Sequence, residues 1–241
     1  MLLTPHEAQL FLKLHRALMF YVNQRLKVLP DKIDSPDDFS HLHPEARLRV
    51  NRAVVDDIDV IESFVNENPC GLADDELDIV LSWRHLVSGT FYIFRELQKY
   101  TVFLSSEEEP IAYGVTALTQ PFEDLVGPYL PVMTETVLLP FRDKIIYDGL
   151  LAGPGVSLSF GPGIRRMLNE SYQKAKDRYG IVTSLPVTEL RPVPKKAPKP
   201  KGRSKGHRSE DAKDASKLIV GMMDGFCRDH LNGGRNGVGS F

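Results

Sequence analysis

A basic, proline-rich segment at residues 191–208 limits what this chain can fold into. It reads RPVPKKAPKPKGRSKGHR and contains eight Lys or Arg, four Pro and no acidic residue. A stretch of this composition buries too little apolar surface to join a core. The sequence therefore predicts a globular domain at 1–190, a Pro/Lys-rich basic linker at 191–208, a C-terminal amphipathic helix at 209–231 and a disordered Gly-rich tail at 232–241.

The two parts of the chain carry opposite formal charge. Residues 1–190 contain 18 basic and 27 acidic side chains, a balance of −9, whereas residues 191–241 contain 12 and 5, a balance of +7. A basic segment attracts nucleic acid and other polyanions over long range. The candidate polyanion-binding residues are Lys195, Lys196, Lys199, Lys201, Arg203, Lys205 and Arg208.

Composition excludes several classes of protein. With 241 residues and 42% hydrophobic side chains, the chain can bury a full core without disulfides. The two cysteines, Cys70 and Cys227, form no disulfide framework or Cys-rich zinc site, which favours a reducing environment. No apolar run approaches the roughly 18 to 20 residues that span a bilayer, and the first residues lack the features of a signal peptide. We therefore expect a cytoplasmic protein that does not contact the membrane.

The first hundred residues have helical periodicity. Thr4 to Glu7 form a capping box with proline at the first helical position, and apolar residues then recur at helical spacing to about Lys27. A second apolar stripe extends from Leu48 to Val65. A third begins after Gly71 and predicts a helix to about Gln98.

Near Lys99 the apolar period changes to two, or to short continuous runs. This pattern predicts strands at 100–105, 111–118, 134–141, 144–150 and 156–160, followed by a helix that opens at Gly161. The sequence thus predicts an α+β fold: N-terminal helices, an antiparallel sheet of about four to five strands, a covering helix, the basic linker and the C-terminal helix.

One segment of this region resembles a known family. Residues 137–151, VLLPFRDKIIYDGLL, and 159–176, SFGPGIRRMLNESYQKAK, resemble stretches of uncharacterised prokaryotic proteins, some of which end in a SEC-C zinc motif. That motif needs closely spaced cysteines, whereas this chain ends in FCRDHLNGGRNGVGSF, with only Cys227 and His230. The resemblance therefore implies a shared hairpin, strand and helix, but no zinc and no activity.

The SFGPGIRR turn is a candidate anion-binding site. A Gly-Pro-Gly entry leaves backbone N–H groups open at a helix start, where arginines add positive charge. The alternative is an ordinary structural turn, since the motif is neither a Walker A loop nor a GxGxxG dinucleotide-binding loop. The candidate residues are Gly161, Gly163, Arg165 and Arg166.

Acidic residues and histidines suggest weaker alternatives. Glu135, Asp143 and Asp148 lie on or between predicted strands near Lys144, which loosely resembles the acidic sites of metal-dependent nucleases. His41 and His43 alternate in a polar loop, where too few ligands are present for a structural zinc site. Neither set defines a catalytic residue, a metal or a cofactor, so the sequence identifies no enzyme.

The predicted C-terminal helix has a long apolar face. This face is suited to a protein partner's groove or to self-association, and its residues are Leu218, Ile219, Met222, Met223 and Phe226. The sequence therefore favours a protein–protein adaptor that acts through this helix. The alternatives are a nucleic-acid-associated accessory protein that uses the basic segment, and a nuclease-like enzyme.

Overall fold

Helices form the N-terminal part of the protein. The structure is a computed structural model that describes residues 1–30, 33–153 and 160–187. Its first helices are α1 (Pro5–Leu26), α2 (Pro44–Asp56), α3 (Asp59–Glu67) and α4 (Asp74–Ser82), with short 3-10 turns at Asp38–His41 and Trp83–His85. The second predicted stripe is thus two helices, because the chain leaves helical geometry at Asp57.

The start of α1 is fixed by the capping box expected from the sequence. The Glu7 backbone N–H donates to Thr4 Oγ1 at 3.3 Å, and the Thr4 N–H donates to Glu7 Oε2 at 2.9 Å. These two bonds satisfy backbone groups that a helix start would otherwise leave unpaired. Glu7 also pairs with Lys144, which ties α1 to the sheet.

The prediction of a helix up to Gln98 is wrong. The helix of this third stripe is α4, which ends at Ser82, and Val87–Glu96 form strand β1. The segment VSGTFYIFRE is rich in β-branched and aromatic residues, which favour strands, and Gly89 weakens a helix. Alternate side chains of β1 also enter different hydrophobic clusters, which a strand allows because its side chains point to opposite faces.

The strands of the described residues form one six-stranded sheet. Its members after β1 are β2 (Thr101–Ser105), β3 (Ala112–Thr116), β4 (Val132–Phe141), β5 (Lys144–Tyr147) and β6 (Ile181–Val182). Their order is β2-β1-β4-β5-β3-β6, and β2 also pairs with β3, so five strands close into a ring. A short helix, α5 (Phe122–Val126), follows β3, and α6 (Pro162–Tyr179) covers the outside of the sheet.

The expectation of a purely antiparallel sheet is also wrong, whereas the α+β class is confirmed. Strand β3 runs parallel to both β5 and β6. The reason is topological: the chain passes through α5 and β4 before β5 pairs with β3, and parallel neighbours require such a long connection. The covering helix that the sequence predicts at Gly161 is α6.

Two hydrophobic clusters lie on opposite faces of the sheet. The larger cluster lies between the four helices α1, α2, α3 and α4 and the inner face of the sheet. It contains Phe11, Trp83, Phe91 and Phe103. The smaller cluster lies under α6, where Leu168, Tyr172 and Ala175 pack on strand residues such as Tyr92 and Phe94. Strands β2 and β3 are therefore buried on both faces, which explains why their sequences are continuous apolar runs.

Gly114 in β3 has no room for a side chain. An added Cβ would lie 2.8 Å from the ring of Tyr100. We expect Gly114→Ala to lower the free energy of unfolding by about 1 to 3 kcal/mol, because the Tyr100 ring must be displaced. Urea denaturation of the two single variants and the double variant with Tyr100→Ala measures this effect. Gly114→Ala should lower the free energy of unfolding by less when Tyr100→Ala has already removed the ring. An equal cost in both backgrounds would contradict this explanation.

Candidate functional site

Asp148 is a buried carboxyl group directly after β5. Asp148 is 6% exposed to solvent. Three groups hold it: Asn51 Nδ2 of α2 donates to Oδ2 at 2.7 Å, the Leu150 backbone N–H donates to Oδ1 at 3.0 Å, and Thr136 Oγ1 of β4 lies 3.2 Å from Oδ1. The carboxyl group thus connects α2 to β4 and to the segment that follows β5.

Burial changes the acidity of Asp148. Desolvation raises its pKa from 3.8 to about 7, against the opposing effect of hydrogen bonds from Leu150, Thr136 and Asn51. Among the described residues, no ion pair includes Asp148. A carboxyl group titrating near neutral pH inside a protein is a recognised mark of functional sites.

The contacts of Thr136 fit a protonated Asp148. The Thr136 hydroxyl has a single proton, and its oxygen lies 2.7 Å from the backbone oxygen of Leu150, which can only accept. When the Thr136 hydroxyl donates its proton to the Leu150 oxygen, it has no proton left for Asp148. Its 3.2 Å contact with Asp148 Oδ1 is then a hydrogen bond only if the carboxyl group is protonated and donates to Thr136 Oγ1. The site therefore accommodates both protonation states of Asp148.

His15 of α1 extends this network. It is 8% exposed, and its interaction with the side chain of Asn51 partly offsets the effect of burial on its pKa. Because the Asn51 amide nitrogen donates to Asp148, the Asn51 oxygen is the atom left to face an imidazole N–H. Burial lowers the pKa of His15 to about 4, with a further contribution from the charges of Arg47 and Arg16. His15 is therefore neutral at neutral pH and supplies no counter-charge to Asp148.

An open cleft of about 430 Å³ lies between α2 and the sheet, with Asp148 on its lining. Gly89 of β1 and Thr136 of β4 are register partners, so both face the same side of the sheet. Because Gly89 has no side chain, the cleft extends over this part of the sheet. The remaining lining combines apolar and charged side chains, including Leu48, Val55, Val137, Leu150, Glu45, Arg49, Arg52, Asp56 and Glu135.

The structure separates the carboxylates that the sequence groups as nuclease-like. Glu135 and Asp148 both line the cleft, but Asp143 is exposed and Lys144 pairs with Glu7. Within the described residues, no set of three His, Cys, Asp or Glu side chains is arranged to hold a metal ion. His43 instead caps α2, where its Nδ1 accepts the Glu45 N–H at 3.4 Å.

The anion-binding candidates lie at the start of α6. Gly161 precedes the first helical residue, and an added Cβ at Gly161 or Gly163 would meet nothing within 4 Å. Arg165 Nε donates to the Phe160 backbone oxygen at 3.0 Å, and Arg166 Nε contacts Glu170 Oε1 at 3.1 Å. Both guanidinium groups thus have protein partners, and anion binding stays a prediction.

Other predicted elements lie outside the described residues. These are residues 156–159 of the strand predicted at 156–160, the polyanion-binding residues of 191–208, the C-terminal helix with its apolar face, and the tail. The adaptor and nucleic-acid hypotheses depend on these segments and stay predictions. Where the structure is described, none of its helices has the length and apolar character needed to cross a membrane.

Sequence reasoning named Asp148 but missed its partners. Asn51 and Asp148 are 97 positions apart, and Asn51 and His15 fall within helical stripes that otherwise build the core. The available signal was the presence of polar residues on buried helical faces, since buried polar groups need hydrogen-bond partners. That signal does not say which partner each one finds.

Comparison with known proteins adds no assignment to this site. No protein-family model, no curated protein and no solved structure matches this chain. The resemblance of residues 137–176 to the SEC-C-related family therefore stays a prediction, and the function must be argued from the cleft itself.

Proposed function

We propose that this protein binds a small organic molecule in the cleft between α2 and the sheet, with Asp148 as the anchoring group. The observation that carries the proposal is a buried carboxyl group, without an ionic partner among the described residues, on the lining of an open cleft. Small-molecule sites have typical volumes of about 300 to 1,000 Å³ and place a few polar groups in apolar walls. The volume of this cleft lies within that range.

The lining divides into polar and apolar parts that suit such a ligand. Asp148 and Asn51 supply hydrogen-bonding groups, and both are more than nine-tenths buried. Leu48, Val55 and Leu150 supply apolar surface for the body of the ligand. A compound with one polar group and an apolar ring or chain therefore complements the cleft.

Three matched probes test this function. Benzylammonium, benzyl alcohol and benzoate share one apolar ring and differ in the charge of the polar group. We expect at least one of them to shift the NMR signals of the Gly89 backbone amide and the Asn51 side-chain amide at millimolar concentration. No saturable shift with any probe would contradict the proposed function.

A substitution at Gly89 is expected to block the cleft and to leave the fold intact. An added Cβ would lie 3.9 Å from Phe91, an ordinary contact, and valine is favoured in strands. We expect Gly89→Val to reduce probe binding at least about tenfold while the melting temperature is retained, because the side chain fills the space beside Thr136. Gly163→Val on α6, where space is also open, is the matched control and should bind normally.

A further inference from the structure

We propose that the ligand of this cleft is an organic cation, a compound whose ammonium or similar N–H group donates to Asp148 Oδ2. The inference rests on the proposed function, since it names the chemical class that the same cleft takes. It depends on which atoms of Asp148 remain available and on the charges around them.

The hydrogen-bond geometry leaves one acceptor position on Asp148. Oδ1 contacts both the Leu150 N–H and the Thr136 hydroxyl, whereas Oδ2 accepts a single side-chain hydrogen bond within the described residues, from Asn51 Nδ2. A carboxylate oxygen accepts two hydrogen bonds, so Oδ2 has one position left. A single N–H donor suits this position better than the two parallel donors of a guanidinium group, which need both oxygens.

The charges that line the cleft favour a cation. Its formal acids outnumber its formal bases even when Asp148 is left out: Glu45, Asp56 and Glu135 against Arg49 and Arg52. The arginines are also engaged, since Arg49 Nη2 donates to the Val28 backbone oxygen at 2.9 Å and Arg52 lies 3.9 Å from Glu135. Within the part of the chain that the structure describes, an ionised Asp148 therefore lacks a counter-charge, which a cationic ligand supplies.

Proton release should accompany binding. Because the pKa of Asp148 is raised to about 7, much of the protein carries a neutral carboxyl group at neutral pH, and a cation binds the ionised form. Two other buried groups near this network do not titrate between pH 6 and 8, because burial lowers the pKa of His15 to about 4 and raises that of Tyr147 to about 12.

Isothermal titration calorimetry with the same three probes tests the class of ligand. At pH 8 we expect benzylammonium to bind at least about tenfold more tightly than benzyl alcohol, and benzoate more weakly still. Between pH 8 and pH 6 the affinity for benzylammonium should fall about tenfold, because the ionised fraction of Asp148 falls by that factor. Titration in buffers of different ionisation heat should show protons released on binding at pH 7.

The outcomes separate this inference from the proposed function. In Asp148→Asn, the preference for benzylammonium and its pH dependence should both disappear, while weak binding of benzyl alcohol persists because the apolar walls are unchanged. Equal or tighter binding of benzyl alcohol or benzoate at Gly89 would overturn the cationic class but leave the proposed function standing. Failure of all three probes would contradict both.

Discussion

As the pH rises from 4.5 to 6.5, the free energy of unfolding of His15→Gln is expected to fall by about 2 to 3 kcal/mol relative to that of the wild type. Over the same rise in pH, the free energy of unfolding of Asp148→Asn is expected to increase by a similar amount relative to the wild type. The opposite signs follow from opposite pKa shifts. Burial lowers the pKa of His15 to about 4 and raises that of Asp148 to about 7. In the wild type the two contributions nearly cancel over this range.

The sign for His15 follows from proton counts. In the unfolded chain a histidine has its ordinary pKa near 6.5, so between pH 4 and 6.5 the unfolded state binds more protons than the folded state. Stability from this residue is present above pH 6.5 and is lost as the pH falls towards 4. His15→Gln keeps a side-chain N–H donor for Asn51 but removes this dependence.

For Asp148 the counts are reversed. The unfolded carboxyl group is ionised above about pH 4, while the folded one keeps its proton up to about pH 7, so the folded state binds more protons. Stability from this residue is present below pH 4 and is lost as the pH rises to 7. Asp148→Asn removes this loss because an amide does not ionise.

Urea denaturation of the three proteins at pH 4.5, 5.5 and 6.5 measures both effects. Differences from the wild type cancel the contributions of all other titrating groups. Glu7→Gln is a useful control: pairing with Lys144 lowers the pKa of Glu7 from 4.5 to about 2, so its difference from the wild type should stay nearly constant between pH 5.5 and 6.5. Differences that stay constant with pH for both variants would contradict the buried network described for His15, Asn51 and Asp148.

Phe103→Ala is expected to lower the free energy of unfolding by about 3 to 5 kcal/mol. Phe103 lies in β2, is fully buried, and packs against Phe91 and Phe122 with ring centroids 6.3 and 4.9 Å away. These rings belong to the larger cluster, so truncation leaves a cavity enclosed by the ring of strands and the helices.

The matched control is an exposed aromatic residue. Tyr129 is 73% exposed, and Tyr129→Ala should change the free energy of unfolding by less than about 0.5 kcal/mol. Chemical denaturation at one pH compares the two variants. A cost below about 1 kcal/mol for Phe103→Ala would mean that the interior of the strand ring collapses around the vacancy or is not packed as described.

Asp148 shows how far local sequence signals reach toward the site. The sequence names it as a candidate because it lies, with Glu135 and Asp143, on or between predicted strands near Lys144. Its sequence neighbours Asp143 and Lys144 are not its partners, since the carboxyl group is bound by Asn51 from α2 and Thr136 from β4. Packing of elements distant in the chain, rather than proximity in sequence, creates the cleft and buries the carboxyl group, and this burial raises its pKa.

The sequence by itself determined the features whose causes are local. The capping box of α1, the β4–β5 hairpin and the start of α6 depend on residues a few positions apart, and all three are present in the structure. Only the tertiary structure decided that Val87–Glu96 is a strand and that β3 runs parallel to β5. The physical reason is that strands and buried polar groups are stabilised by partners distant in the chain, and one sequence does not specify which partners meet.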